Sequence, residues 1–296
     1  MQSSKKCCQE CRWTKNGFYR RKFGRPIPRK RCSFCGRTCS SATSSPLRWQ
    51  KKRHLNKRIK YLLANNMSLR RTSRTLGVSL NTIIAKQGFL ASQAKRERIE
   101  TLNNWTGHLV KELQFDELIT CEHTLLKPVS VIMAVEPKSR IILNFKVISI
   151  RNNHPVRNKI SDKRYGKRKD ERVGGLHDLL RKMKPIVEPK AEIRTDQAPH
   201  YPSAVKKYFP RASHLTFKSK RASVVGQGEL KEKGHDPLFY INHQFAQLRD
   251  SISRLNRRSW NISKLRERLE EHIEIYISVH NQLMNRRAEA LGYTKY

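Results

Sequence analysis

Two Cys-x2-Cys pairs, Cys8-Gln-Glu-Cys11 and Cys32-Ser-Phe-Cys35, are separated by twenty residues in a stretch too polar to build a core of its own. Each pair presents two thiolates from one tight turn, and four thiolates close a tetrahedron around one metal ion with no position left open. In such a segment metal binding supplies the folding free energy, so Cys8, Cys11, Cys32 and Cys35 are expected to hold a structural Zn²⁺. The competing reading is four unrelated reduced thiols. Cys7 can replace Cys8 with slacker geometry, and Cys39 fits as a filler of an apolar position. Between the pairs, Arg20, Arg21, Lys22, Arg25, Arg29, Lys30 and Arg31 interleave with Phe18, Tyr19 and Phe23. This basic arm suits phosphate contact or, more plainly, a solvated hairpin.

Charge narrows the partners. The 296 residues carry 63 Lys and Arg against 24 Asp and Glu, a net charge of +39. An excess of that size repels itself unless a polyanion neutralises it, and a nucleic-acid backbone does so with release of counterions. No stretch approaches the roughly 20 apolar residues of a spanning helix, so a membrane is not an expected partner. The start, MQSSKKCCQEC, lacks the apolar core of a signal peptide. The expected location is therefore a reducing interior, where cysteine favours metal over disulfide.

After the cysteines, residues 53–66 read as a basic amphipathic helix through Leu55, Ile59, Leu62 and Leu63. Ser68 caps a second helix that runs through Leu69, Thr72 and Leu76 to Gly77, and a third begins at 78–84 after a short turn. Helix, glycine turn and helix is the arrangement that offers a recognition helix to the major groove of DNA, with Asn81, Thr82 and Lys86 as the exposed candidates. A helical connector that reads no bases is the alternative.

From Leu113 the period changes. Residues 113–121 place Asp116 within an apolar strand, and 129–135 and 141–150 follow as β-branched runs around the turn 136–140. A helix fits 173–183, a short strand at 191–196 ends on Asp196, residues 203–209 look helical, 213–217 form a fifth strand, and a long helical stretch begins near Leu238. Three strands, helix, strand, helix, strand and helix is the order of a ribonuclease-H-like α/β fold, which makes Asp116 and Asp196 neighbours. Two carboxylates so placed can hold Mg²⁺ for phosphodiester chemistry. The lesser alternative is that each Asp merely caps its strand or pairs with a basic neighbour.

The segments Cys8–Cys11, Cys32-Ser-Phe-Cys35-Gly-Arg-Thr, Phe115-Asp116-Glu117, Thr195-Asp196-Gln-Ala-Pro-His-Tyr201 and Asn256-Arg-Arg-Ser-Trp260 resemble bacterial insertion-sequence transposases in their order along nearly the whole chain. The resemblance implies a zinc ribbon at 1–45, a helix-turn-helix region at 46–105 and a DDE-type catalytic domain at 106–296 with C-terminal helices. It implies that Asp116 and Asp196 are the first two ligands of a catalytic Mg²⁺ or Mn²⁺. The third ligand belongs early in the last long helical stretch, where Asn242 stands in place of Glu. A branch of these enzymes uses Asn there, so Asn242 would give a neutral carbonyl oxygen, and Arg249, seven residues on, would hold a DNA phosphate. Asp250, Glu229 and Asp236 are alternatives for the third group, and an inactivated site is another.

The implied activity is metal-dependent cleavage and transfer of DNA strands. Double-stranded element ends and target DNA are the implied partners, and a bacterial cytoplasm, at the nucleoid, is the implied location. A catalytically inactive DNA-binding regulator is the rival, and a basic RNA-associated zinc protein a weaker one. Arg157–Arg172 reads as an exposed basic loop that tracks the DNA backbone. Leu265, Leu269, Ile273, Tyr276 and Ile277 mark a late helix face for core packing or, as the second choice, for a homodimer.

Overall fold

The computed structural model describes residues 7–20, 25–43, 45–105, 108–218, 230–231, 234–256 and 259–290. Arg21, Lys22 and Phe23 of the basic arm, Glu229, and Arg257-Arg258 lie outside the described residues. The chain divides into two compact units, residues 1–56 and 57–296.

The first unit is a small antiparallel sheet of β1 (Trp13–Tyr19), β2 (Ile27–Cys32) and β3 (Thr38–Ser40), in that order. The turn from β2 to β3 contains the second cysteine pair and closes through Gly36 N–H to Cys32 O at 3.0 Å. Gly36 sits at φ +70°, a left-handed conformation that a side chain would strain. Among the described residues of this unit, Ile27 and Cys32 are the buried apolar side chains.

The second unit begins with three helices, α1 (Asn56–Leu63), α2 (Leu69–Leu76) and α3 (Leu80–Asn103). Hydroxyl caps fix the boundaries, since Ser68 accepts from Arg71 N–H and Ser79 from Thr82 N–H, each such cap being worth about 1 kcal/mol. Between them Gly77 ends α2 at φ +60°. The 24-residue α3 buries Ile83, Gln87, Leu90, Ala91 and Ala94 at helical spacing.

That stripe includes Lys86, which is 4% exposed, so its expected place on the outer face is corrected. Helix α3 is covered by α2 and by α8 (Arg266–Ala290), a helix 180 residues further along the sequence. Gln87 Nε2 donates to Arg268 O at 3.1 Å, and the Arg98 guanidinium grips both carboxylate oxygens of buried Glu274 at 2.6 and 3.0 Å.

A five-stranded sheet forms the centre of this unit, from β4 (Val110–Cys121), β5 (Pro128–Val135), β6 (Ile142–Ser149), β7 (Val187–Asp196) and β8 (Ser213–Phe217). Its order is β6-β5-β4-β7-β8, with β4–β5 and β5–β6 antiparallel and β4–β7 and β7–β8 parallel. Every residue of β5 is buried, as a strand covered on both faces requires. On one face lie α5 (Arg172–Met183) and α6 (Tyr201–Tyr208), with Leu176, Leu179, Leu180 and Val205 on Phe115 and Ile132. On the other lie α7 (Phe239–Ser251) and α8, with Ile241, Phe245, Leu248, Ile273 and Ile277 on Leu118, Val131 and Met133. Each fully buried Leu, Ile or Phe contributes about 1.5–3 kcal/mol.

Two expectations change in detail. Residues expected as an exposed basic loop include α4 (Pro155–Tyr165). Its charged face hides the helical period, but Pro155 at the first helical position starts it and Ser161 Oγ ties it inward to Leu126 O at 2.7 Å. The long helical stretch from Leu238 breaks at extended Ile252, which ends α7. Of the late apolar face, Leu269, Ile273, Tyr276 and Ile277 are buried in the core, whereas Leu265 is exposed.

Candidate metal centres

In the first unit the turn before β1 meets the β2–β3 turn, and their thiols converge. Cys7, Cys8, Cys11 and Cys32 place their sulfurs within 4.8 Å of one another. A tetrahedron with Zn–S bonds of about 2.3 Å spaces its sulfurs about 3.8 Å apart. Cys7–Cys8 at 3.8 Å and Cys8–Cys32 at 3.7 Å match that spacing, and Cys7–Cys11 at 3.2 Å lies inside it. Cys35 Sγ approaches Cys7 Sγ to 3.4 Å.

Cys7, expected as a spare, therefore stands among the ligand candidates, and Cys35 borders the mutual cluster rather than completing it. Adjacent Cys7 and Cys8 in one turn give five thiols for four positions. The thiols are unequal. The backbone amide of Cys35, with that of Phe34, lowers Cys32 to about 5, as metal-ready thiolates require. Burial, followed by hydrogen bonds to neighbouring thiols, pushes Cys8 up to about 11 and Cys7 higher. A cation at the centre would relieve that crowding.

The second centre rests on strand register. Between parallel β4 and β7 the partners run Glu112–Glu192, Leu113–Ile193 and Gln114–Arg194. Two residues further, the same register sets Asp116 beside Asp196, and parallel partners point to the same face. Burial, then the charge of Asp196, pushes the Asp116 carboxyl up to about 7. Two carboxylates in a poorly hydrated site resist double ionisation unless a cation joins them.

Both acids are held from α6 and its approach: Tyr201 Oη donates to Asp116 Oδ1 at 3.4 Å and Ala198 N–H to Asp196 Oδ1 at 2.9 Å. Glu117 N–H adds a 2.7 Å bond to Asp116 Oδ1. The Glu117 side chain turns to the opposite face, where it meets His200 Nε2 at 2.9 Å, Ser130 Oγ at 2.9 Å and Arg172 Nε at 3.3 Å. Glu117, His200 and Tyr201 lie within the motifs that carry the resemblance, which assigns them no role. A charged residue directly after Asp116 in an apolar strand was the signal for the first; nothing local marked the other two.

The start of α7 docks on the Asp116 face, because Gln114, two residues before Asp116, accepts from Ile241 N–H at 3.1 Å and donates to Pro237 O at 3.0 Å. Asn242 is one residue further along, half-buried. Its amide nitrogen donates to Asp236 Oδ2 at 2.8 Å, which turns the carbonyl oxygen away from that acid.

Asp236 is buried and also accepts from Leu238 N–H at 3.1 Å, at the head of α7. It borders an open cavity of about 480 Å³ together with Glu112 and Arg194. Asp250 is exposed at the far end of α7, away from this cluster, and Arg249 beside it is half-buried and already engaged. Of the expected DNA contacts, Asn81 is exposed, whereas Thr82 is half-buried with its hydroxyl 2.8 Å from Ser79 Oγ. Among the described residues no helix is long and apolar enough to cross a membrane.

No protein-family model matches the chain, and no curated protein matches it by sequence. Solved structures do match, among them a cryo-electron-microscopy structure of piggyBac transposase in a synaptic complex with hairpin DNA. That likeness has a TM-score of 0.38 at 9% identity over 86% of this chain and 70% of the other, too loose to carry fold or chemistry across.

Proposed function

We propose that the chain is a DNA transposase with a ribonuclease-H-like catalytic core, in which Asp116, Asp196 and Asn242 hold a divalent cation, Mg²⁺ or Mn²⁺. The observation that carries this reading is the Asp116–Asp196 pair on adjacent parallel strands, with Asp116 raised to about 7 by burial and by its partner. The sheet order β6-β5-β4-β7-β8 agrees with the ribonuclease-H-like arrangement. A bound divalent metal supplies Lewis-acid stabilisation of charge that develops on a phosphodiester. Asp116 and Asp196 give the anionic donors, and the Asn242 carbonyl gives a neutral one at the head of α7. Tyr201 and the Ala198 amide fix the two carboxylates before any ligand arrives, which limits reorganisation on binding.

DNA recognition falls to the rest of the chain. In this reading α2, the Gly77 turn and α3 act as the helix-turn-helix, with Asn81 at the exposed start of α3 and Arg70, Arg71 and Arg74 exposed on α2. The cysteine cluster holds Zn²⁺ in a structural role. The test is joining of element-end DNA to a target by the purified protein with Mn²⁺. Loss of joining in Asp116→Ala and Asp196→Ala, with DNA binding retained, supports the reading; joining that survives both substitutions sinks it.

The Asn242–Asp236 hydrogen bond favours a second reading, in which Asn242 braces Asp236 at the head of α7 rather than meeting metal and the chain binds DNA without cutting it. Asn242→Ala separates the two: lost joining with retained binding excludes the regulator.

A further inference from the structure

We propose that the first unit carries a groove for single-stranded DNA, in which Tyr19 and Trp49 stack unpaired bases while Arg29, Arg48 and Arg53 take the phosphates. The groove is open, about 800 Å³, and lies between the end of β1, the β2–β3 edge and the segment 48–53. Tyr19 is 56% and Trp49 83% exposed, although large aromatic rings gain the most from burial.

The local structure displays Trp49 outward. Turn hydrogen bonds Arg48 N–H to Ser45 O at 2.9 Å and Gln50 N–H to Leu47 O at 3.1 Å bracket it. Its backbone stands at φ +68°, an outlier for a bulky residue of the kind that persists at ligand clamps. The Arg48 guanidinium lies 4.9 Å from its ring centroid.

Charge complementarity selects the occupant. Among the described residues, no acid lines the groove. Residues 1–56 hold sixteen Lys and Arg against the single acid Glu10. A polyanion with flat apolar faces fits both features, and unpaired bases offer those faces whereas a duplex hides them within its stack. The choice of DNA over RNA rests on the proposed function, because strand cleavage at element ends exposes unpaired DNA.

The test uses the full chain and a fluorescent oligothymidylate of about twenty nucleotides, long enough to fill a groove whose site size is on the order of 4–16. Anisotropy at fixed salt should report at least about a tenfold loss of affinity for Trp49→Ala and for Tyr19→Ala, with Trp49→Phe recovering most of it. Duplex of equal length should change by less than about twofold in the same variants, since its bases stay stacked.

Unchanged single-strand binding in Trp49→Ala, or an equal loss on duplex, overturns the groove. Tighter aromatic-dependent binding of oligouridylate overturns the assignment to DNA. The measurement needs no catalysis and is repeated in Asp116→Asn protein. Failure of the transposase reading therefore shows as absent strand joining beside an intact aromatic effect.

Discussion

The two candidate metal centres are built on opposite principles. The cysteine cluster stands in a unit whose buried apolar side chains, among the described residues, are Ile27 and Cys32, so almost no apolar core supports the ladder of β1, β2 and β3. The Asp116–Asp196 pair stands in a sheet covered by helices on both faces, where Ile132, Phe115, Met133 and Ile241 are fully buried. In the first unit an ion would make the fold. In the second the fold makes the site, and only a scaffold with stability to spare can hold two carboxylates side by side at a cost.

The largest expected effect breaks the first half of this comparison. Cys32→Ser, or a strong chelator, should remove on the order of 10 kcal/mol of coordination energy, so that residues 1–56 lose protection from proteolysis. The denaturant midpoint of residues 57–296 should stay in place. A ribbon that resists both treatments would show that metal does not organise it.

A smaller effect tests the second half. The folded Asp116 titrates near 7, above the roughly 3.9 of an unfolded Asp. A raised carboxyl favours the fold at low pH and loses that contribution as pH rises through about 7. Asp116→Asn cannot ionise, so in metal-free protein it should gain on the order of 2–4 kcal/mol over wild type at pH 8 and little at pH 4. Chemical denaturation at the two pH values measures the difference, and equal shifts at both would contradict a strained pair.

The smallest sharpens how tightly the scaffold is packed. A Cβ at Gly175 would stand 2.5 Å from Ile148 Cγ2, where α5 presses on the sheet. Gly175→Ala should therefore cost about 1–3 kcal/mol by overpacking, read as a lower denaturant midpoint.

What the sequence disclosed follows the range of the interactions. The capped helices, β8 at Ser213–Phe217 and the Asp at the end of β7 rest on signals within a few residues, and all were readable. The burial of Lys86 was not readable because α3 is packed by other helices, α8 among them, which comes some 180 residues later. Helix α4 was hidden by charge, since an amphipathic period needs an apolar stripe and α4 faces mostly solvent. Spacing rules pair Cys8 with Cys11 and Cys32 with Cys35, whereas the turn brings Cys7 into the cluster beside Cys8 and leaves Cys35 at its border. The hold of Tyr201 on Asp116 spans 85 residues and could not be seen before the strands were in register.

Titration calorimetry with Mn²⁺ at pH 8 tests the central claim that the two aspartates form a cation site. Wild-type protein should show a Mn²⁺ site that Asp116→Asn and Asp196→Asn each weaken at least about tenfold, as loss of an anionic ligand requires. Wild-type affinity should fall as pH drops below 7 and Asp116 takes up its proton. Mn²⁺ binding indifferent to both substitutions would contradict the account.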